Sequence, residues 1–203
     1  MKLTIIGGSQ GTGALLAGLA RDAGHEVTVV SRSGNAPAGV RGVVGSATDP
    51  AVAREAVAGA DAVVVTVGGA KGVRPQRAEV TRSIVTAMTE SGPRRLVVQS
   101  SLGAGDSGAQ MPLPLRLLMK AVLAAPLADH DEQESVVESS GLDWTVVRPT
   151  GLTTRPATGR WRAHEVGDGG TLGGSIPRAD LAAYLLEVLS DDSLIGKAVG
   201  ISS

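Results

Sequence analysis

The glycines near the start of the chain are the residues whose spacing most directly implies chemistry. Leu3 to Ile6 is a short apolar, β-branched run that stops at Gly7-Gly8-Ser9-Gln10-Gly11-Thr12-Gly13. From Ala14 the pattern turns helical, with Leu15, Leu16, Leu19 and Ala23 on one face and Gly24 as the stop. Strand, glycine turn and helix in that order make an anion site. The free N–H groups and positive dipole end of the helix meet a pyrophosphate, and glycines let the backbone come close. The spacing is Gly7-x-x-Gln10-x-x-Gly13, so Gln10 stands where a G-x-x-G-x-x-G turn has its middle glycine. Two readings stand: a tight βα turn without a ligand, or a dinucleotide turn in which Gly11 takes the close approach one residue late. The place directly after the first strand favours the second.

A cation follows at the matching distance. Glu26 to Val30 reads as a second strand ending at Ser31-Arg32-Ser33, and Arg32 lies 19 residues beyond Gly13. A βαβ unit brings that point beside an adenosine ribose. A carboxylate there would bond the 2′-hydroxyl of NAD, whereas an Arg between two serines suits the 2′-phosphate of NADP(H). The alternative is a solvated Arg in a turn. Further along, Asp61 to Val67 is a continuous apolar run ending in a second glycine turn, Gly68-Gly69. Arg95 to Ser101 is a fifth strand that delivers Ser100 and Ser101 to the same edge, where open α/β sheets place ligands.

Other groups carry weaker signals. Asp129, His130, Asp131, Glu132 and Glu134 could ligate a metal, but read more simply as the hydrated acidic first turn of a helix with a capping-box-like start at Asp129-x-x-Glu132. Arg116 and Lys120, four apart, read as a solvated helix face. Trp161 between two arginines is either a lid residue that stacks on an aromatic substrate or a half-buried cover for the loop around it.

The elements that must position these residues alternate. Val40 to Gly45 is a third strand. Thr48-Asp49-Pro50 opens a helix that runs to Gly59, with an N-cap followed by Pro at the first position. A long helix spans Gln76 to Ser91, with Val80, Ile84, Val85 and Met88 inward. Helical patterning runs from Pro114 through Ala125, and a further helix from Asp129 to Ser140-Gly141. Asp143 to Pro149 is the sixth strand, Asp180 to Ser190 the last helix, and Ala198 to Ile201 reads as an edge strand. Residues 150–178 are loop-rich, with strand-like Arg160 to Glu165. This order predicts an α/β, Rossmann-type doubly wound parallel sheet in a single domain over residues 1–203, with 150–178 as a substrate-side segment.

Composition narrows the function classes. A net charge of −1 with 42% hydrophobic residues suggests neither disorder nor attraction to nucleic acid. No cysteine is present, which removes disulfides, thiolate nucleophiles and Cys-held metals. Phe is absent, with one Tyr and two Trp, so no stacking platform for bases is available. The apolar stretch Leu113 to Ala128 carries Arg116, Lys120, Pro114 and Pro126, which argues against a membrane span. Only a few residues precede the first glycines, too few for a signal-peptide core. The expectation is a cytoplasmic protein, monomer or small homo-oligomer, with a small-molecule substrate and no nucleic-acid or membrane partner.

The landmarks together carry a resemblance. Gly7 to Gly13, Gly24-His25-Glu26-Val27-Thr28-Val29 leading to Arg32, Asp61-Ala62-Val63, Ser100-Ser101, Ser140 to Pro149 and Arg178-Ala179-Asp180-Leu181-Ala182 resemble the atypical short-chain dehydrogenase/reductase superfamily. Within it the chain is most similar to the NAD(P)H-binding group that includes biliverdin/flavin reductase and NmrA-like proteins. The resemblance implies that the turn residues Gly7, Ser9, Gln10, Gly11, Thr12 and Gly13 hold the pyrophosphate, and Arg32 the 2′-phosphate. It puts Ser46 and Ala47 by the adenine, although the group often has Asp where Ser46 stands. It implies that Val67, Gly68 and Gly69 line the dinucleotide, that Ser100 belongs to the cofactor site, and that Pro149 and Thr150 close over the carboxamide. Ser101 and His130 are its candidate catalytic residues, Ser101 near the nicotinamide and His130 either touching substrate or solvated at a helix start.

The chain also departs from the pattern. The Tyr-x-x-x-Lys pair of typical short-chain dehydrogenases is missing: the one tyrosine is Tyr184, with Val188 four residues on. Gly151 stands where the biliverdin/flavin reductase type has a His after the sixth strand. Two functions follow. One is an NADPH-dependent oxidoreductase transferring hydride to a small conjugated acceptor such as a flavin or quinone. The other is a non-catalytic NADP(H) sensor of the NmrA-like kind.

Overall fold

Successive side chains along the central strands alternate between two buried layers. Ile5, Val29 and Val64 face one layer, while Ile6, Val30, Val63 and Val65 face the other. A strand buried on both faces needs apolar residues at every position, which explains the unbroken run at Ala62–Val65. Each such side chain stabilises the fold by about 1.5–3 kcal/mol relative to exposure. The computed structural model describes residues 1–68, 76–114, 116, 123–168 and 170–203.

The described strands are β1 (Lys2–Ile6), β2 (Glu26–Ser31), β3 (Arg41–Val44), β4 (Ala62–Val65), β5 (Arg95–Gln99), β6 (Asp143–Pro149), β7 (Gly151–Thr153), β8 (Arg162–Glu165), β9 (Ser175–Pro177) and β10 (Lys197–Ser202). The described helices are α1 (Gly11–Asp22), α2 (Pro50–Val57), α3 (Arg77–Ser91), α4 (Ala124–Glu138) and α5 (Arg178–Val188). The main sheet runs β3-β2-β1-β4-β5-β6-β10-β8, and β7 pairs separately with β9. Every pairing in the main sheet is parallel except β10 with β8. Helices α1 and α5 cover one face; α2, α3 and α4 cover the other. This is the expected Rossmann-type sheet, mostly parallel and doubly wound.

Chain order reverses between β1 and β4, and β1 is in register with both neighbours: Ile6 lies opposite Val30 on one side and Val65 on the other. Three strands thus end level at a topological switch point, where a crevice opens at their carboxyl ends.

Several expectations need correction. Ala198 to Ile201 belongs to β10, which is not an edge strand. Val199 pairs with Val147 on one side and Glu165 on the other, so the edge falls to antiparallel β8. Helix α4 begins at Ala124, not Asp129. Pro126 is tolerated because the first helical N–H groups have no internal partner to lose. The segment 150–178 holds three short strands, and Pro114 to Ala125 is described only at Pro114 and Arg116 and from Leu123 on. Lys120 lies outside the described residues.

A buried ion pair ties α4 to β6. Arg148 on β6, 2% exposed, donates from Nε and Nη2 to Glu134 of α4 at 3.1 and 2.7 Å, and from Nη1 to Asp106 at 2.6 Å. Removing one partner of such a pair leaves the other charge buried alone. We expect Glu134→Ala to lower unfolding free energy by about 3–5 kcal/mol in urea titrations. Adding Arg148→Met should cost much less than a second independent loss, because the stranded charge is gone.

Candidate functional site

The cleft at the switch point begins with the glycine turn. Gly7 takes φ +87° directly after β1, and its N–H donates to the Val30 carbonyl at 3.0 Å, which turns the chain sharply off the sheet. Gly13 lies in the first turn of α1. A Cβ there would run into the Gly7 carbonyl at 2.6 Å and into the Thr66 hydroxyl. Only glycine lets the helix start so close to the strand ends. Gln10 precedes α1 in extended conformation and makes no side-chain cap, so its amide does not occupy the first-turn N–H groups. Gly11 has φ +58°, a conformation that favours glycine.

The cleft encloses about 560 Å³ and gathers Gly7, Ser9, Gln10, Gly11 and Thr12 at one wall. Val67 and Gly68 follow Thr66 at the end of β4, and Arg32, Ser46 and Ala47 line the far end. Gly69 lies outside the described residues. Ser31 shapes the Arg32 turn: its carbonyl accepts from Gly34 at 3.2 Å and Gly45 at 3.1 Å. Arg32 itself is exposed and has no hydrogen bond or ion pair among the described residues. At Ser46 the hydroxyl is spent locally, 2.8 Å from the Thr48 hydroxyl. Among the described residues, Arg32 and Arg178 are the only charged side chains of this cleft, and no carboxylate lines it. That polarity, with the uncapped end of α1, suits an anionic ligand with a pyrophosphate.

Among the cleft residues that sequence reasoning missed, three carry polar groups that matter here. Thr66 donates to the Ile6 carbonyl at 3.2 Å and fits against Gly13, so it holds the turn in place. Gln99 lines the cleft with its Oε1 buried and without a partner among the described residues, an acceptor for an amide or hydroxyl. Arg178, at the first position of α5, reaches the glycine turn. Its position in Pro177-Arg178-Ala179-Asp180, at a helix start, was the available signal.

Other predicted residues lie elsewhere. Ser100 is 2% exposed and turns away from the cleft, donating to Glu134 inside the Arg148 network. Ser101 is half-buried beyond β5, with its hydroxyl 3.3 Å from the Leu102 carbonyl. Pro149 and Thr150 are buried and do not line the cleft, whereas Leu152 does; the Thr150 hydroxyl has no partner among the described residues.

His130 is neither solvated nor at a helix start. It sits in the second turn of α4, 8% exposed, with Nδ1 3.4 Å from Ser100 Oγ and 3.3 Å from Gln133 Oε1. Burial first, then the positive charge of Arg77, push its pKa down to about 4. It is neutral at neutral pH. The acidic residues around it are each committed to a different partner. Asp129 caps α3, accepting from the backbone N–H groups of Arg77 at 3.2 Å and Ala78 at 3.3 Å, and pairs with the Arg77 guanidinium. Asp131 accepts from Gly105, Glu132 from Arg82, and Glu134 from Arg148. The hydrated acidic turn expected here is a set of struts between elements.

Trp161 packs edge-on to Tyr184, ring centroids 6.1 Å apart at 66°, and against the core. It covers the loop. Burial raises the Tyr184 pKa to about 12, so this tyrosine keeps its proton.

The pattern of the NAD(P)H-binding family matches residues 7–192. The chain belongs to that family. Its fold is shared with ChuY, described as an anaerobillin reductase from Escherichia coli O157:H7, at 26% identity and a TM-score of 0.84, over 99% of this chain and 96% of that one. A short-chain dehydrogenase/reductase from Veillonella parvula DSM 2008, solved in complex with NADP, has a TM-score of 0.84 at 18% identity, over 100% of this chain and 94% of that one. The family match bears out the resemblance and the NAD(P)H-binding reading, and the neighbours share the fold. Among the described residues no helix is long and apolar enough to cross a membrane.

The His130 environment has a consequence for stability. The native state resists a proton that the unfolded chain accepts near pH 6.5, so His130 should leave stability intact above that pH and erode it as pH falls towards about 4. The loss should approach the order of 3 kcal/mol at the acid end. Urea titrations across this range should show a shallower pH slope for His130→Gln than for the wild type.

Proposed function

We propose that this chain is a cytoplasmic NADPH-dependent reductase that passes hydride to a small conjugated acceptor, a flavin, a quinone or similar. The observation that carries the cofactor choice is Arg32: an unpaired guanidinium at the end of β2, in a cleft with no carboxylate among its described lining residues. A 2′-phosphate fits there, with Ser46 and Ala47 by the adenine and the N–H groups of Gly11 to Gly13 on the pyrophosphate. Gln99 Oε1, buried and without a partner among the described residues, is available to the carboxamide. Bound NADPH supplies the hydride.

The acceptor class follows from proton supply. Reduction of a simple ketone needs an acid at the developing alkoxide. Tyr184 packs on Trp161 away from the cleft lining and has no lysine partner among the described residues, and His130 is buried and neutral. A conjugated acceptor spreads the incoming charge over its ring and takes its proton from water. The protein then needs only to hold the two rings within reach, with Ser101 as a hydrogen-bond donor and residues 150–178 forming the substrate side. The relation to ChuY, described as a reductase, supports an enzyme. The missing acid favours a second reading, a non-catalytic NADP(H) sensor working as a monomer or small homo-oligomer.

Two measurements test this. Arg32→Ala should weaken NADPH by roughly 10–100-fold and leave NADH nearly unchanged in titrations. Equal losses for both would remove Arg32 from the 2′-phosphate. Wild-type protein should oxidise NADPH with flavin mononucleotide or menadione and leave simple aliphatic ketones untouched. Binding with no turnover of any acceptor would support the sensor.

A further inference from the structure

A pyrophosphate carries two negative charges, and the turn that faces it here offers only dipoles. The first turn of α1 is Gly11-Thr12-Gly13, without a basic residue, and Gln10 contributes no cap. Arg32 is placed for the other end of the dinucleotide. The cleft's remaining described charge is Arg178, which comes from the opposite end of the sequence.

Its placement is well determined. Helices α1 and α5 pack side by side on one face of the sheet, so their N-termini emerge at the same edge. Pro177, the last residue of β9, precedes α5, and β9 is held by parallel pairing with β7, from which Leu152 lines the cleft. Arg178 therefore starts a helix at a fixed point across from the glycine turn. Its Nε would lie 3.5 Å from a Cβ on Gly11, so the guanidinium sits over the N-terminus of α1.

The arginine is also uncommitted. No hydrogen bond or ion pair to it occurs among the described residues, although Asp180 shares its helical turn. Asp180 is 1% exposed and fully engaged elsewhere. It accepts from Thr158 N–H at 3.0 Å, Thr158 Oγ1 at 2.7 Å and Gly159 N–H at 3.0 Å. A carboxylate so engaged does not neutralise its neighbour. A half-buried guanidinium with no partner, lining a cleft beside an uncapped helix end, is placed to complete a bound anion.

We infer that Arg178 is a phosphate-binding residue of this cleft, closing over the pyrophosphate from the side opposite the glycine turn. This deepens the dinucleotide reading and rests on it. The two arginines then divide the ligand: Arg32 reads the 2′-phosphate and sets the choice between NADPH and NADH, whereas Arg178 holds the bridge common to both. Arginine suits that task better than lysine, because its planar fork can bond two phosphate oxygens at once.

Competition titrations of the full chain with NADPH, NADH, ADP and adenosine 2′-monophosphate separate these roles. Arg178→Ala should weaken NADPH, NADH and ADP by a similar factor, roughly tenfold or more, and leave adenosine 2′-monophosphate unchanged. Arg178→Lys should recover part of the loss. Arg32→Ala should show the reverse pattern, weakening NADPH and adenosine 2′-monophosphate while sparing ADP. Unchanged NADPH and ADP binding in Arg178→Ala would overturn the inference and leave the dinucleotide reading standing. Equal weakening of adenosine 2′-monophosphate would overturn it too, by moving Arg178 off the pyrophosphate. Wild-type protein that binds neither NADPH nor NADH would overturn both.

Discussion

The close approach of Gly13 to the Gly7 carbonyl and the Thr66 hydroxyl sets where α1 begins, and the cleft follows from it. A side chain at position 13 would push the helix away from the strand ends. The first-turn N–H groups would then no longer face the crevice between β1 and β4. Thr66 belongs to this constraint as much as the glycines do. It extends from β4 across the switch point, is bonded to the Ile6 carbonyl, and fills the space a larger residue at 13 would need. The turn, the start of α1 and the end of β4 form one unit.

The opposite face of the sheet is organised by charge. Glu134 and Arg148 bond bidentately in a site with almost no solvent, and Ser100 and Asp106 complete the carboxylate and guanidinium. Ion pairs buried in this way add little net stability over apolar packing, but they are costly to break, and so they specify one arrangement of α4 against β6. Asp129 acts on the neighbouring helix by capping α3. This is why a run of acidic residues that reads as a surface turn lies at the junction of three elements.

The cleft and this network divide the polar residues at the carboxyl edge of the sheet. Gln99 and Ser100 are adjacent, yet strand alternation sends one to the cleft and the other into the network. Arg32, Arg178 and Gln99 Oε1 line the cleft without partners among the described residues, whereas Glu134, Arg148 and Ser100 are bonded to one another. Two unpaired guanidinium groups and a free amide oxygen lining one crevice are what a ligand with charges of its own would satisfy.

The sequence by itself determined the alternation of strands and helices, the position of the glycine turn, the Asp49-Pro50 start of α2 and the placement of Arg32 at the end of β2. Each is written in local patterns: apolar period, capping chemistry, and glycine where φ is positive. Tertiary structure alone decided the rest. Which strand is the edge depends on β8 folding back antiparallel beside β10, a pairing that no local period encodes. The start of α4 was misplaced because Asp129 has the residue type of a cap but serves α3, 52 residues away along the chain. Burial converted His130 from a solvated residue into a neutral one, since desolvation is a property of what packs around a group and not of its neighbours in sequence. For Arg178 the sequence offered a place near a helix start but not a place in the cleft. Its partners in space are Gly11 and the end of α1, brought to it only when α5 packs beside α1 on the sheet.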